Sequence, residues 1–280
     1  MTDLRSTLPV ILGWLPFRKE IKSALVSSLR LGPLPKHVAL IMDGNRRFSR
    51  RLGAKPIKGH EAGFEALKSL LDFFLHLDIT TVTVYAFSID NFRRTEEEVE
   101  GLMDLARNKL GELCQKGELL QRYGIRVRVI GRRDLLPIEV QRACLSAERL
   151  TAHNTRGCLN ICFPYTSRDE MTQSLRSAIS DVGDHLIEPS DITPELLDDR
   201  LYTAQTQMAY LEEPSEPDIL IRTSGVSRLS DFLLWQISDQ TSLHFLPRCW
   251  PDIGVADVLP VLLGWQAERI RANFISALHW

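Results

Sequence analysis

In 280 residues there is room for one large domain or two small ones with a core of ordinary size, and the composition, 44% hydrophobic and 25% charged, is that of a soluble globular protein. Lys and Arg number 34 against 36 Asp and Glu, so the formal net charge of −2 argues against general nucleic-acid binding and makes any arginine cluster a local device. Five cysteines, Cys114, Cys144, Cys158, Cys162 and Cys249, match no zinc spacing, which leaves core thiols in a reducing compartment as the expectation.

In chain order, Leu8 to Phe17 is apolar but too short to span a bilayer, and it lacks the basic start and small-residue cleavage site of a secretory signal, so the chain reads as not secreted. From Pro16 to Leu31 the residues Phe17, Ile21, Ala24, Leu25 and Leu29 recur at helical spacing, with Arg18, Lys19, Lys22 and Arg30 elsewhere. Such a helix can lie on a membrane surface or over its own domain, and amphipathicity does not choose between them. The run Val38 to Met42 is apolar throughout and reads as a strand buried on both faces, as in a parallel sheet. It opens into Asp43 and Gly44, then Arg46, Arg47, Arg50 and Arg51. That set suits a phosphorylated anion at the carboxyl edge of the sheet, where open α/β folds bind ligands. A strand followed by a solvated basic helix is the plainer alternative.

His60, between Gly59 and Glu61 ahead of a helix over Phe64–Leu77, is either an ordinary helix-terminus histidine or a phosphate donor or proton shuttle. Thr81 to Phe87, β-branched and aromatic, is a strand that opens into Ser88, Asn91 and Arg94. Ser88 and Asn91 suit first a capping turn, the reading this segment alone favours, and second neutral hydrogen bonds at the same edge. Glu96 to Arg122 reads as one long helix with Thr95 as N-cap and Glu98 three residues on. Strands at 126–130, 159–163, 219–221 and 242–245, with helices at 139–151 and 168–182 between, imply a mostly parallel sheet with helices on both faces. Glu212 to Pro217 reads as a surface loop. The strand at 219–221 delivers Arg222, and Thr223-Ser224-Gly225 turns toward Arg228 and Ser230, a second cradle for a phosphate group. No Walker loop, GxGxxG or DDxxD occurs. A lone Asp43 fits a Mg²⁺ held jointly by one carboxylate, substrate phosphates and water.

The blocks HVALIMDGNRRFSRR, GHEAGF, YAFSIDNFRRTEEEVEGLMDLAR, LNICFPYTSRDE and DILIRTSGVSRLSDFLLWQ resemble, in order and spacing from about Pro35 to Pro251, those of the cis-prenyltransferases. They are most similar to the eukaryotic, especially fungal, dehydrodolichyl diphosphate synthase catalytic subunits. The resemblance implies an α/β catalytic domain over residues 35–280 with a central, mostly parallel six-stranded sheet and a hydrophobic prenyl tunnel, after an amphipathic, membrane-associating segment over 1–34. Helices 64–77 and 96–122 offer apolar faces for that tunnel. The implied activity is repeated addition of isopentenyl diphosphate to an allylic primer such as farnesyl diphosphate. Its product would serve dolichol synthesis and protein glycosylation at the cytoplasmic face of the endoplasmic reticulum.

Carried over position by position, Asp43 would coordinate Mg²⁺, and Gly44, Asn45, Arg46, Arg47 and Arg94 would hold the allylic diphosphate. Arg222, Arg228 and Ser230 would hold isopentenyl diphosphate, while His60, Ser88 and Asn91 match polar catalytic positions. The chain departs from the bacterial pattern at about Ser242, where those enzymes carry a magnesium-binding glutamate. It departs again in ERIRANFISALHW, which holds no Arg-x-Gly and so implies a homologous accessory subunit that supplies one. Two alternatives are a non-catalytic scaffold subunit of the same fold and an unrelated α/β phosphohydrolase. Retention of Asp43, Arg46, Arg47, Arg222 and Arg228 argues against the first, and the want of a nucleophile-and-base pair against the second.

Overall fold

The computed structural model describes residues 19–113, 119–204 and 216–278. In chain order these form α1 (Lys19–Leu29), β1 (His37–Ile41), α2 (Asn45–Arg51), α3 (Pro56–His76), β2 (Thr81–Tyr85), α4 (Glu96–Leu113), α5 (Leu119–Tyr123), β3 (Ile125–Ile130), α6 (Ile138–Thr151), β4 (Gly157–Cys162), α7 (Ser167–Gly183), α8 (Pro194–Asp199), β5 (Ile219–Arg222), β6 (Ser242–Phe245) and α9 (Val255–Leu278). One six-stranded sheet, ordered β3-β4-β2-β1-β5-β6, organises a single α/β domain, and every pairing in it is parallel. The expected mostly parallel sheet is therefore parallel throughout.

Because side chains alternate across a strand, each strand feeds two cores. Val38 and Leu40 of β1, Val82 and Val84 of β2 and Ile219 and Ile221 of β5 join the larger core with α3, α4, α6 and α9. Ala39, Ile41, Leu220 and Cys162 face the other way, onto Tyr165, Phe232, Leu233 and Ile237. The start of β1 is pinned to the segment before β5 by Asp218, whose Oδ2 accepts from the amides of Lys36 at 2.7 Å and His37 at 3.0 Å.

The start of one expected helix shifts. Helix α3 begins at Pro56 and not near Phe64, so His60 lies inside a helix and not ahead of one. Its first turns carry no apolar period because Gly59 and Gly63 face α2: a methyl group on Gly59 would lie 2.1 Å from the Asn45 carbonyl oxygen, and one on Gly63 2.4 Å from Asn45 Oδ1. The long helix expected over Glu96–Arg122 is described as α4 and α5, with residues 114–118 between them, Cys114 included, outside the described residues. Most of the acidic loop before β5 also lies outside them.

Of the N-terminal amphipathic segment, residues 1–18 lie outside the described residues. In α1, Val26 and Leu29 are buried in the larger core, and the Leu29 carbonyl accepts from Gln266 Nε2 of α9 at 2.6 Å. Burying two such side chains contributes roughly 1.5–3 kcal/mol each, enough to hold this half of α1 on the domain. Ala24, on the expected apolar stripe, is exposed. No helix among the described residues is long and apolar enough to cross a membrane.

Candidate active site

Strand β1 lies between β2 and β5, so the direction in which strands are added reverses beside it, and ligand crevices in such sheets open there beyond the carboxyl ends. A cleft of about 830 Å³ occupies that place. Asp43, Gly44, Asn45, Arg46, Arg47, His60, Ser88, Asn91, Arg94, Arg222, Arg228 and Ser230 all line it. Arg50 lines it as well, but Arg51 turns away to a bidentate pair with Asp252 at 2.8 and 2.7 Å, so it does not serve the anion cradle that sequence suggested. Ser242 is not among the lining residues; its hydroxyl lies 2.9 Å from His244 Nε2.

At the polar end the carboxylate of Asp43 accepts from the Gly44 amide at 2.7 Å and from Arg222 Nη2 at 2.9 Å, with Arg47 Nη2 at 3.9 Å. Burial pushes this carboxyl up, but hydrogen bonds from Arg222, Ser224 and the Gly44 amide, with the charge of Arg222, together outweigh it and the net shift is downward, so Asp43 is ionised at neutral pH. Gly44 sits at φ 106, a left-handed conformation that glycine adopts without strain, and a methyl group there would lie 2.8 Å from Cys249 Cα. The Arg222 guanidinium is buried; besides Asp43 it donates to Ser230 Oγ at 2.7 Å and to the Arg228 carbonyl. Arg47 Nη1 donates to the Ser224 carbonyl at 2.9 Å, which joins the two arginine-bearing loops directly.

Ser88 and Asn91 form a reciprocal cap on the short 3₁₀ turn Ile89–Arg93, and they line the cleft while doing so. The capping and ligand readings of these residues are thus compatible, because Asn91 spends its Oδ1 on the Ser88 amide. His60 is held at a pKa of about 4, first by burial and then by the nearby charges of Arg94 and Arg46, and its Nε2 has no partner among the described residues. It is neutral at pH 7 and so offers a hydrogen bond, not a charge.

Sequence reading missed two participants. Glu98, expected only as a helix-capping partner, accepts from Arg94 Nη1 at 2.7 Å and lies 3.7 Å from Arg46 Nη1, so it spaces two cations at the cleft mouth. Trp250 donates its amide to the Asp43 carbonyl at 2.9 Å and its Nε1 to the Gly63 carbonyl at 2.7 Å, clamping the end of β1 to α3. Neither side chain carries a sequence signal of that role.

The other limb of the cleft is apolar. Val84, Val129 and Ile161 of the sheet form its floor, and Phe64 and Leu67 of α3 with Leu102 and Leu110 of α4 form its walls. This apolar limb lies where the resemblance placed a hydrophobic tunnel, and residues of both helices named for it line it.

Among the described residues no group of three or more His, Cys, Asp or Glu could hold a metal. Asp43, outside any such cluster, does not suit zinc, but it fits Mg²⁺, which takes its other ligands from phosphates and water.

The undecaprenyl diphosphate synthase profile of the prenyltransferases matches residues 41–273. A dehydrodolichyl diphosphate synthase complex subunit of Schizosaccharomyces pombe is 39% identical over 89% of this chain and 92% of its own length. A tritrans,polycis-undecaprenyl-diphosphate synthase of Thermococcus kodakarensis, described as geranylgeranyl-diphosphate specific, is 41% identical over 96% of this chain and 97% of its own. Among solved structures, lavandulyl diphosphate synthase from Lavandula x intermedia, in complex with dimethylallyl diphosphate, superposes with a TM-score of 0.75 at 30% identity, covering 83% of this chain and 95% of that one.

Proposed function

The chain belongs to the undecaprenyl diphosphate synthase family of cis-prenyltransferases, and from that premise we propose that it elongates farnesyl diphosphate, or a similar allylic primer, by repeated condensation with isopentenyl diphosphate to a long polyprenyl diphosphate of the dolichol route. The observation that carries this reading is one cleft with two arginine loops at its mouth and an apolar limb behind them. In the proposed arrangement Gly44, Asn45, Arg46, Arg47 and Arg94 hold the primer diphosphate, with its hydrocarbon between α3 and α4. Arg222, Arg228 and Ser230 hold isopentenyl diphosphate beside it.

As the primer's C–O bond breaks, charge gathers on the leaving diphosphate, and preorganised arginines in a water-poor cleft stabilise it more than water could. A Mg²⁺ held by Asp43 and substrate oxygens would neutralise part of that charge. In this reading Ser88 and Asn91 steer proton removal, and neutral His60 offers substrate a hydrogen bond without adding charge.

The relative's description as a complex subunit supports a partner subunit, and the reading takes that partner to be homologous and to supply an Arg-x-Gly motif. The reading also includes peripheral attachment at the cytoplasmic face of the endoplasmic reticulum through the N-terminal amphipathic segment, residues 1–34. The test is to incubate the purified chain, alone and with a candidate partner, with farnesyl diphosphate, labelled isopentenyl diphosphate and Mg²⁺, and to size the lipid products. Long polyprenyl products that require or increase with the partner support it. Absence of labelled lipid in both arms favours the scaffold alternative.

A further inference from the structure

We propose that Tyr85 is a positioning residue that sets the isopentenyl diphosphate loop through its hydroxyl, a role that rests on the assignment of Arg222, Arg228 and Ser230 to that diphosphate. Tyr85 ends β2 and lines the cleft. Its ring stacks on Phe232 with centroids 4.6 Å apart and 14° between planes, and meets Tyr165 edge-on at 6.1 Å. Its hydroxyl lies 3.1 Å from the Tyr165 carbonyl and 3.2 Å from the Ser230 carbonyl. One phenolic proton faces two acceptors. The Tyr165 carbonyl already accepts from the Ile89 amide at 3.3 Å, so the tie that only Tyr85 provides is the one to Ser230.

That tie falls where the backbone needs one. Ser230, Asp231 and Leu233 stand at φ 51, 60 and 49, and non-glycine residues held there persist when the surroundings over-determine them. Residues 231–234 are sewn to the start of α7: Ser167 N donates to the Asp231 carbonyl at 2.8 Å, Arg168 N to Asp231 Oδ1 at 3.0 Å, and Leu234 N to Ser167 Oγ at 2.9 Å. None of those bonds reaches Ser230, whose carbonyl is instead held by Tyr85. The Ser230 hydroxyl in turn accepts from Arg222 Nη1, and Arg222 Nη2 donates to Asp43. The Tyr85 hydroxyl thus begins a continuous chain of contacts that ends at the proposed metal carboxylate.

Tyr85→Phe keeps the ring and removes only the hydroxyl. The full chain and its Tyr85→Phe, Ser230→Ala, Tyr85→Phe/Ser230→Ala and Arg228→Ala variants are titrated calorimetrically in Mg²⁺ with isopentenyl diphosphate and, separately, with farnesyl diphosphate, so that no condensation occurs. Thermal melting of each variant reports folding. Tyr85→Phe is expected to weaken isopentenyl diphosphate about fivefold, the scale of one neutral hydrogen bond, and to leave farnesyl diphosphate within about twofold. The double variant should bind no more weakly than Ser230→Ala alone. Unchanged isopentenyl diphosphate binding by Tyr85→Phe, or equal weakening of both ligands with a lowered melting temperature, overturns the proposal. Arg228→Ala separates the two assignments. If it weakens isopentenyl diphosphate while Tyr85→Phe does not, the loop assignment stands and Tyr85 alone is misassigned. If it leaves that ligand unaffected, both fall.

Discussion

Arg222 donates to Asp43 across 179 residues of sequence, so the carboxyl ends of β1 and β5 meet in a charged pair at the mouth of the cleft. The pair is lopsided, because the Arg222 side chain is 4% exposed and that of Asp43 is 36% exposed. Removing the carboxylate therefore strands a buried cation. A carboxylate at a sheet edge looks dispensable for folding, but this one neutralises a buried guanidinium.

Asp43→Ala is accordingly expected to lower turnover by on the order of a hundredfold, as loss of a preorganised charged group does, and to destabilise the unliganded protein by roughly 1–3 kcal/mol, the cost of leaving a buried partner unsatisfied. Asp43→Asn, which keeps an acceptor for Arg222, should recover much of the stability and little of the turnover. Steady-state assays and denaturant melts of both variants decide it. Wild-type turnover in saturating Mg²⁺ removes Asp43 from the mechanism.

The two arginines of the second loop should separate in the same way. Arg228 is exposed, so Arg228→Ala is expected to raise the KM for isopentenyl diphosphate about tenfold or more, as loss of a charge-assisted contact does, with the melting temperature nearly unchanged. Arg222→Ala should do both, because its guanidinium also ties Ser230, the Arg228 carbonyl and Asp43 together. Arg47→Ala should weigh more on the primer. Identical effects of all three on both substrates are incompatible with two sites.

His60 has a pKa of about 4 against an ordinary 6.5, so between those values the unfolded chain binds a proton that the folded chain refuses. Stability conferred by its neutral form is complete above pH 6.5 and is lost as the pH falls toward 4. His244, also lowered by burial, contributes in the same direction. His60→Asn should flatten the dependence of melting temperature on pH in that window while leaving the part due to His244. Superimposable wild-type and variant profiles reject the assignment.

Gly59→Ala offers a test by sign. In an exposed helix the change stabilises by about 1 kcal/mol, but here the added methyl would lie 2.1 Å from the Asn45 carbonyl and 2.3 Å from Ser49 Oγ. Separation of α3 from α2 should instead destabilise by about 1–3 kcal/mol and weaken primer binding. A raised melting temperature would falsify the close packing of these helices.

Much of this arrangement is legible in the chain because its loudest signals are physical. The run Val38 to Met42 has to be buried on both faces, which leaves Asp43 at a sheet edge, and the run before Arg222 repeats the logic. What stays hidden is reciprocal. Glu98 follows Thr95 at capping spacing and gives no sign of the two arginines it holds apart. The start of α3 is masked because its glycines answer to the approach of α2, and glycines carry no hydrophobic period. Tyr85 reads as a β-forming aromatic, and its hydroxyl acquires a role only once Ser230, far along the chain, folds against it.

The place of β1 in the sheet also sets an order for synthesis. Its partner β2 follows soon after it, but β5 emerges near the far end of the chain, so a nascent polypeptide carries a strand built to be wholly buried, His37–Ile41, with one edge unpaired for most of its elongation. Such an edge is a template for pairing with other chains, and contacts of long sequence separation form slowly. Bound substrate cannot shield it, since Arg222, Arg228 and Ser230 are made only with and after β5, and mass action favours the fold only once a site exists. Ribosome-bound intermediates should therefore lean on chaperones until the last strands arrive, and substrates should protect the finished protein without rescuing the unfinished one.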